Sequence, residues 1–202
     1  MTSHPEAVIK MVMNADLVKE FFPLLQAGVS VTARVGCPLS HFLSDQLNLD
    51  SDYVASRVTT IFLDSKPVDD VKTAIIRDGS TIALSGAMPG LVGATMRRGG
   101  FYSAMRGSIS HERDTADSIN RIGTVRVKLF NLLMAELGPA ILRCGVIISG
   151  SSLSSFFAER ADSFWKGCSE SLCNGVAVEP ATLATDGQFQ DRDTIRLYAE
   201  FR

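Results

Sequence analysis

The feature that most constrains this chain is a pattern of turns and short apolar runs between residues 58 and 90. Val58 to Leu63 is apolar and β-branched, which suits a strand, and the Asp-Ser-Lys-Pro that follows supplies turn residues. Asp78-Gly79 predicts a second turn, and Thr81 to Leu84 begin another strand. This stretch therefore predicts two strands with a short ordered connection.

A similar pattern recurs in the second half of the chain, which predicts an internal repeat. Three segments match in the same order and at nearly constant spacing: Gly28-Val29 with Gly145-Val146, Lys66-Pro67-Val68 with Val176-Ala177-Val178, and residues 78–84 with residues 191–197. The alternative is a single α+β domain that contains similar elements.

Other elements follow from periodicity. Apolar residues alternate with polar ones in residues 29–35 and 194–201, which predicts strands, and residues 8–13 fit a short first strand. Residues 15–26 predict a helical connection whose regularity Pro23 limits. Helices are also predicted directly after Pro38 and over residues 151–165, with Ser151 or Ser152 as the N-cap of the second.

The apolar stretch at residues 129–148 is long enough to resemble a membrane span. Glu136 and Arg143 argue against one, because a charge in the middle of a membrane costs roughly 2.5–3.5 kcal/mol. Gly138-Pro139 instead predicts a turn, so residues 124–137 and 140–149 are expected to form an antiparallel hairpin. A helix at Leu132–Leu137 is the competing interpretation.

Composition and charge exclude several classes. The 202 residues are 46% hydrophobic, enough for a real core, and 20 basic against 22 acidic side chains give a net charge of −2. No global field attracts nucleic acid or an anionic membrane, so neither partner is expected. The N-terminal residues lack the basic and apolar segments of a secretory signal, which predicts a cytoplasmic location.

Metal and cofactor sites are not expected. Cys37, Cys144, Cys168 and Cys173 show no zinc or redox spacing, so they are predicted to be free thiols. The three histidines are far apart in the sequence. The glycine-rich residues 86–100 match no nucleotide-binding spacing.

Composition changes after Gly90, where the chain becomes rich in Gly, Ser and charge. This change predicts a first domain at residues 1–98, a linker or loop at 99–122, and a second, degenerate domain at 123–202.

The order strand, strand, helix, then Asp64-x-x-Pro67-Val68 and Asp78-Gly79-Ser80-Thr81-Ile82 resembles the β-grasp, ubiquitin-like group, in particular the molybdopterin-synthase small subunit and the thiamine sulfur carrier. The resemblance covers residues 8–90 and, more weakly, 124–201. It implies an α+β fold, with a β-grasp-like mixed sheet and a packed helix in up to two tandem copies. The same fold serves unrelated functions, so it does not fix this one.

The resemblance also implies a carrier function as an alternative. Carriers of that group end in Gly-Gly, whose carboxylate is adenylated and converted to a thiocarboxylate. The first Gly-Gly here is Gly99-Gly100, and the chain continues to residue 202. Only cleavage after Gly100 would create the required carboxylate; a flexible glycine linker is the other interpretation.

Cys37, His41 and Asp45 are spaced at i, i+4 and i+8 and would share one face of a helix. Nucleophile, base and orienting acid in that order would suit a thiol enzyme, and a helix N-terminus lowers a thiol pKa. A solvated helix face opposite Leu39 and Phe42 is the plainer interpretation.

Arginines and aromatic residues interleave in one segment, which makes it the predicted contact surface. Its candidate binding residues are Arg97, Arg98, Gly99, Gly100, Phe101, Tyr102 and Arg106. The leading hypothesis is a non-catalytic binding or adaptor protein that recognises a protein partner or a second copy of itself.

Overall fold

One mixed β-sheet dominates the fold. The computed structural model describes residues 7–86, 88, 90–106, 121–185, 189 and 194–202, and within these ranges ten strands form this sheet while two more form a small separate one. The strands are β1 Ala7–Met13, β2 Val29–Val35, β3 Cys37–Pro38, β4 Thr60–Leu63, β5 Lys66–Pro67, β6 Ile75–Ile76, β7 Thr81–Ser85, β8 Arg121–Phe130, β9 Val146–Ser149, β10 Cys168–Cys173, β11 Val176–Ala177 and β12 Thr194–Phe201.

Short helices connect these strands. The α-helices are α1 Phe22–Ala27, α2 Leu39–His41, α3 Ser51–Ser56, α4 Gly90–Met96, α5 Leu132–Arg143, α6 Gly150–Ala158 and α7 Asp162–Lys166. A π-helical turn, Phe42–Gln46, continues α2, and 3₁₀ turns occupy Ala15–Phe21, Phe101–Arg106 and Pro180–Ala184.

Strand order divides the large sheet into two similar halves. The order is β11-β10-β1-β12-β9-β2-β8-β7-β4-β5. The halves meet where β2 and β9 pair antiparallel, Ser30 opposite Ile147 and Val31 opposite Val146. In each half the second and third strands from this junction run parallel, β8 with β7 and β12 with β1, and the remaining pairs are antiparallel.

Each half contains a strand from the other end of the chain. The N-terminal strand β1 lies between β10 and β12, and β8, from the second half of the chain, lies between β2 and β7. We call this arrangement the reciprocal strand insertion. Because backbone hydrogen bonds of both inserted strands are used on both sides, the two halves share one sheet.

One face of the sheet forms the core. In β2, Val29, Val31, Ala33 and Val35 are buried, whereas the alternate residues are half-buried or exposed. The buried residues of β8 and β12, together with helical side chains, complete a single cluster that includes Val125, Val127, Leu129, Ile195, Leu197, Ala199, Phe21, Leu25, Leu142 and Phe157. Each such side chain contributes roughly 1.5–3 kcal/mol when fully buried. We call the opposite side, which carries the alternate residues, the open face.

Many predicted elements are confirmed. The strands predicted at 8–13, 29–35 and 194–201 correspond to β1, β2 and β12, and the helical connection at 15–26 is a 3₁₀ turn followed by α1. The α+β class is confirmed, although one ten-stranded sheet is not clearly β-grasp. Much of the predicted linker at 99–122 lies outside the described residues.

The matched segments of the predicted repeat occupy related positions. Strands β2 and β9 meet at the junction, and the hairpins that end in β5 and β11 form the two edges. Both hairpins turn through two residues with positive φ, Asp64-Ser65 at 50° and 69° and Asn174-Gly175 at 51° and 82°. Strand β7, however, is third from the junction and its matched strand β12 is second. The two halves are therefore similar but not superposable strand for strand.

The predicted hairpin at residues 124–149 is wrong. Residues 132–143 form α5, as the competing helical interpretation held, and the helix continues through Gly138 and Pro139. Leu133, Leu137 and Ile141 are buried at helical spacing on one face. A Cβ atom at Gly138 would lie 2.8 Å from Leu25 Cδ1, so this glycine permits close packing of α5 on α1. Pro139 costs the helix one N–H donor but does not end it.

The helix predicted at 151–165 is divided into α6 and α7. Its N-cap is Ser149, whose hydroxyl accepts a hydrogen bond from the Ser152 N–H at 3.3 Å. The cap therefore precedes the predicted position by two or three residues, and the chain leaves the helical path between Ala158 and Asp162.

Gly28 and Gly145 occupy equivalent places, directly before β2 and β9, with φ of 103° and 87°. The neighbouring strand covers each with a side chain of the open face. A Cβ at Gly28 would lie 2.9 Å from Lys128 Cγ, and one at Gly145 would lie 2.5 Å from the Tyr198 ring. Both positions therefore require glycine for conformation and for space.

Substitution of Gly145 by alanine is expected to destabilise the protein more than substitution of Gly79. Both residues have positive φ, which costs alanine about 1–2 kcal/mol, but a Cβ at Gly79 would contact nothing within 4 Å. Displacing the Tyr198 ring adds roughly 1–3 kcal/mol. Urea unfolding of G145A and G79A measures the difference in the free energy of unfolding. When G145A is combined with Y198A, the additional loss caused by the clash with the Tyr198 ring should disappear. Equal losses in the two glycine variants would contradict the packing argument.

The reciprocal strand insertion predicts that fragments 1–106 and 107–202 do not fold separately. Fragment 1–106 lacks β8, the strand that joins β2 to β7, and fragment 107–202 lacks β1, the strand that joins β10 to β12. We expect neither purified fragment to show cooperative thermal unfolding, and the mixture to recover it. Circular dichroism of each fragment and of the mixture provides the measurement. Cooperative unfolding of 1–106 alone would show that the predicted first domain is independent.

Candidate functional site

Residues 90–106, which we call the α4 segment, combine α4, a glycine turn and the 3₁₀ turn Phe101–Arg106. Two contacts anchor the segment. The Arg98 N–H donates to the Thr59 carbonyl at 2.9 Å, and Arg106 Nη2 donates to Asp69 Oδ1 at 2.6 Å. Because the Arg106 residue is only 3% exposed, its charge is desolvated and depends on Asp69. The segment is thus fixed at both its turn and its end.

Large apolar side chains of the α4 segment face solvent. Leu91 is 71% exposed, Val92 63%, Phe101 91% and Tyr102 41%. The rings of Phe101 and Tyr102 meet edge to face with centroids 5.2 Å apart. Folding normally removes such side chains from water, so their exposure on an anchored segment is typical of a surface used for contact.

The predicted binding residues differ in their exposure to solvent. Arg97, Gly99, Phe101 and Tyr102 are exposed, and Arg98 and Gly100 are half-buried. Arg106 differs, because its guanidinium is buried against Asp69. Arg106 therefore supports the segment from beneath, and the exposed residues of the predicted set form its surface. Nothing in the sequence distinguishes its role from that of Arg97.

Arg98 is the unusual cation of the segment. Its Nη1 atom is buried and has no hydrogen-bond partner among the described residues. Burial lowers the pKa of the Arg98 guanidinium below its ordinary value, while the nearby Asp69 and Asp70 carboxylates oppose that effect. The buried Nη1 donor of Arg98 therefore lies beneath the exposed apolar side chains of the segment.

A cavity of about 570 Å³ opens beside the α4 segment on the open face of β4, β7 and β8. Phe62, Ala83, Met88 and Phe130 form its apolar lining. Its polar groups are those of Ser65, Thr81, Ser85, Lys128 and Asn131. We call this the β7 cavity. Sequence inspection missed it because its residues come from strands that are distant in sequence; only the alternation along each strand points to them.

Asn131, at the rim of the β7 cavity, has an uncommon backbone conformation. Its φ is 57° and its ψ is −136°, which costs a residue other than glycine roughly 1–3 kcal/mol. Its side-chain Nδ2 donates to Ser85 Oγ at 3.0 Å, across from β8 to β7. The amide side chain is thus held in place at the cost of backbone strain.

Cys37, His41 and Asp45 do not share the helix face that their spacing predicts. Cys37 belongs to β3, where it pairs with Ile76, and so lies outside the helix that begins at Leu39. Its thiol is buried and donates to the Arg34 carbonyl at 3.3 Å. Burial raises the pKa of the Cys37 thiol, the opposite of what a nucleophile requires, although Arg34 partly counters the effect.

The other two residues share a cavity that Cys37 does not line. His41 and Asp45 are exposed and line a polar cavity of about 220 Å³ with Thr32 and Arg34. No hydrogen bond joins His41 to Cys37 in the described part of the chain, and Asp45 accepts one from the Ser44 hydroxyl at 2.6 Å. His41 and Asp45 therefore line one cavity, whereas Cys37 belongs to the strand that precedes their helix.

Two polar contacts that the sequence did not indicate stabilise this region. The Gln46 side chain imitates a neighbouring strand, because Oε1 accepts from the Arg34 N–H at 2.6 Å and Nε2 donates to the Arg34 carbonyl at 3.2 Å. Tyr53 and Arg57 of the α3 region both donate to Glu136 of α5. These hydrogen bonds lower the pKa of the Glu136 carboxyl. The Gln46 amide and the Glu136 carboxylate each bond to a neighbouring element, which suits a structural role.

The described residues contain neither a disulfide, nor a metal-binding cluster, nor a helix that could span a membrane. All four cysteines are free, and no group of three or more His, Cys, Asp or Glu side chains in the described ranges is arranged to hold a metal ion. Within the same ranges, every helix is too short or too polar to span a bilayer.

Comparison with known proteins gives no family assignment. No protein-family model, no curated protein and no solved structure matches this chain. The function of the protein is therefore inferred from the geometry of the molecule itself.

Cys37 is expected to react slowly with alkylating reagents. Because burial raises its thiol pKa and blocks access, we expect its reaction with iodoacetamide to be roughly ten-fold or more slower than that of exposed Cys144. Peptide mass spectrometry over time measures both sites, and unfolding in urea should remove the difference. His41→Ala should leave the Cys37 rate unchanged. A fast Cys37 rate that His41→Ala abolishes would instead support the thiol-enzyme hypothesis.

Proposed function

We propose that this protein is a non-catalytic binding protein that holds a protein partner through the exposed apolar side chains of the α4 segment. The observation that carries the proposal is the combination of four exposed apolar side chains with a buried ionic anchor. Aromatic residues on a rigid support lose little conformational entropy on binding, which favours them at the centre of protein interfaces.

The charges around the surface agree with a protein partner. Exposed Arg97 borders the apolar side chains, and arginine with aromatic residues is the composition enriched in interface cores. The chain as a whole has a net charge of −2, which does not favour nucleic acid. A second copy of the chain and a different protein are both compatible partners. A cytoplasmic location remains part of this proposal.

The thiol-enzyme alternative has less support, because the Cys37 thiol is buried and donates to the Arg34 carbonyl, whereas His41 and Asp45 are exposed. A binding role makes no demand on these residues.

The carrier alternative is disfavoured by the reciprocal strand insertion. Cleavage after Gly100 would leave a fragment without β8, which lies between β2 and β7 of that fragment. Gly99-Gly100 also forms part of an anchored turn, in which the Gly100 N–H donates to the Arg97 carbonyl at 3.2 Å. A released carrier would need to fold without its inserted strand.

Site-specific photo-crosslinking tests the proposed surface. A benzoylphenylalanine residue replaces Phe101 in the full chain in its native cells, and a matched variant carries it at Val176, which is 66% exposed on the opposite sheet edge. We expect a discrete crosslinked protein from position 101 and none from position 176. A product of twice the chain mass would identify self-association, and any other mass a different partner.

Substitution then tests the energetics with the identified partner. Phe101→Ser should weaken binding at least about ten-fold, because a central aromatic contact is worth about 2 kcal/mol or more. Val176→Ser should leave the affinity unchanged. Isothermal titration calorimetry measures both. Equal crosslinking from positions 101 and 176, or equal affinity of the two serine variants, would contradict the proposal.

A further inference from the structure

The β7 cavity has the construction of a small-molecule site rather than of a protein contact. Its volume of about 570 Å³ lies within the range of about 300–1,000 Å³ usual for ligand pockets. Two phenylalanines, a methionine and an alanine supply its apolar lining. Ser65 and Thr81 lie at the start of β7, Ser85 and Asn131 lie at its end, and Lys128 lies beside Ala83 between them. This combination of an apolar chamber with a small number of oriented polar groups is how proteins bind amphipathic ligands.

Alternation along the strands produces the apolar chamber. Ile82 and Leu84 of β7 face the core, so Thr81, Ala83 and Ser85 face the cavity. Ala83 pairs with Phe62 on one side and with Lys128 on the other. The small Ala83 side chain therefore forms the floor between a phenylalanine and a lysine, which gives the chamber its depth.

Lys128 supplies the charge of the cavity. It has no ion-pair partner among the described residues, whereas the arginines Arg57, Arg106, Arg121, Arg160 and Arg202 each pair with a carboxylate. Among the described residues, no Asp or Glu lines the β7 cavity. An ammonium group beside an apolar lining, with no carboxylate among the described lining residues, is complementary to a ligand that carries one negative charge.

We infer that the β7 cavity binds a small amphipathic carboxylate, with the apolar body of the ligand against Phe62, Ala83 and Phe130 and its carboxylate on Lys128. The Thr81 and Ser85 hydroxyls lie at opposite ends of β7, on either side of the Ala83 floor beside Lys128. Asn131, in its strained conformation, is bonded to Ser85 and holds that end of the cavity fixed. The site is distinct from the exposed apolar surface of the α4 segment, so the two proposals stand or fall separately.

Sodium octanoate and 1-octanol are probes of equal chain length that differ in charge. Isothermal titration calorimetry of the full chain should give saturable binding of one octanoate per chain, tighter than that of 1-octanol. Lys128→Met should weaken octanoate binding at least about ten-fold, as expected for loss of a charged hydrogen bond, without weakening octanol binding. Lys10→Met, which removes an exposed lysine from β1 in the other half of the sheet, serves as the matched control and should change neither.

A second pair of variants tests the chamber itself. Ala83→Phe should abolish binding of both probes by filling the floor, and Ala83→Val should weaken both to a smaller extent. Lys128→Arg should retain most of the octanoate affinity. Circular dichroism establishes that each variant is folded before titration.

Three results would overturn the inference. If octanoate does not bind the wild-type protein, the proposed site does not exist. If octanoate binds Ala83→Phe and the wild type with equal affinity, it binds elsewhere. Equal octanoate affinity of Lys128→Met and Lys10→Met removes the assignment of an anionic ligand.

Discussion

Backbone pairing of the two inserted strands is the interaction on which the rest of the structure depends. Strand β8 pairs with β2 over seven residue positions and with β7 over five, and β1 pairs with β12 over seven. These ladders place Val125, Val127 and Leu129 beside the buried residues of both neighbours. The direct junction of the halves is much smaller, only two residue pairs between β2 and β9. Exchange of strands, rather than that junction, holds the sheet together.

Local structure was predictable where the sequence pattern has one physical solution. Alternation at residues 29–35 and 194–201 fixed strands because only a period of two buries their valines and leucines together. Gly138-Pro139 misled because both residues commonly end elements, and only the contact with Leu25 shows why a glycine lies inside α5. Strand order could not be predicted, since nothing in β1 identifies β12 as its neighbour.

Prediction of the candidate site from the sequence required tertiary information to an even greater degree. Arg97 and Arg106 have the same chemistry and neighbourhood in the sequence, yet one is exposed and the other is buried against Asp69. Exposure of Phe101 could be anticipated from its setting among glycines and arginines. The β7 cavity could not, because Phe62, Ala83 and Lys128 become neighbours only through the pairing of β4, β7 and β8.

The position of β1 has a consequence for how the protein is made. Its parallel partner β12 pairs Ala7 with Ile195, so β1 acquires this neighbour only after all the residues between the two strands have been synthesised. Until then an edge of β1 and its apolar residues Ile9, Met11 and Met13 have no lasting cover. Pairing across such a sequence distance is slow, and unpaired edges promote aggregation during that interval. Protection of the nascent chain by chaperones therefore matters more for this topology than for two tandem domains that fold one after the other.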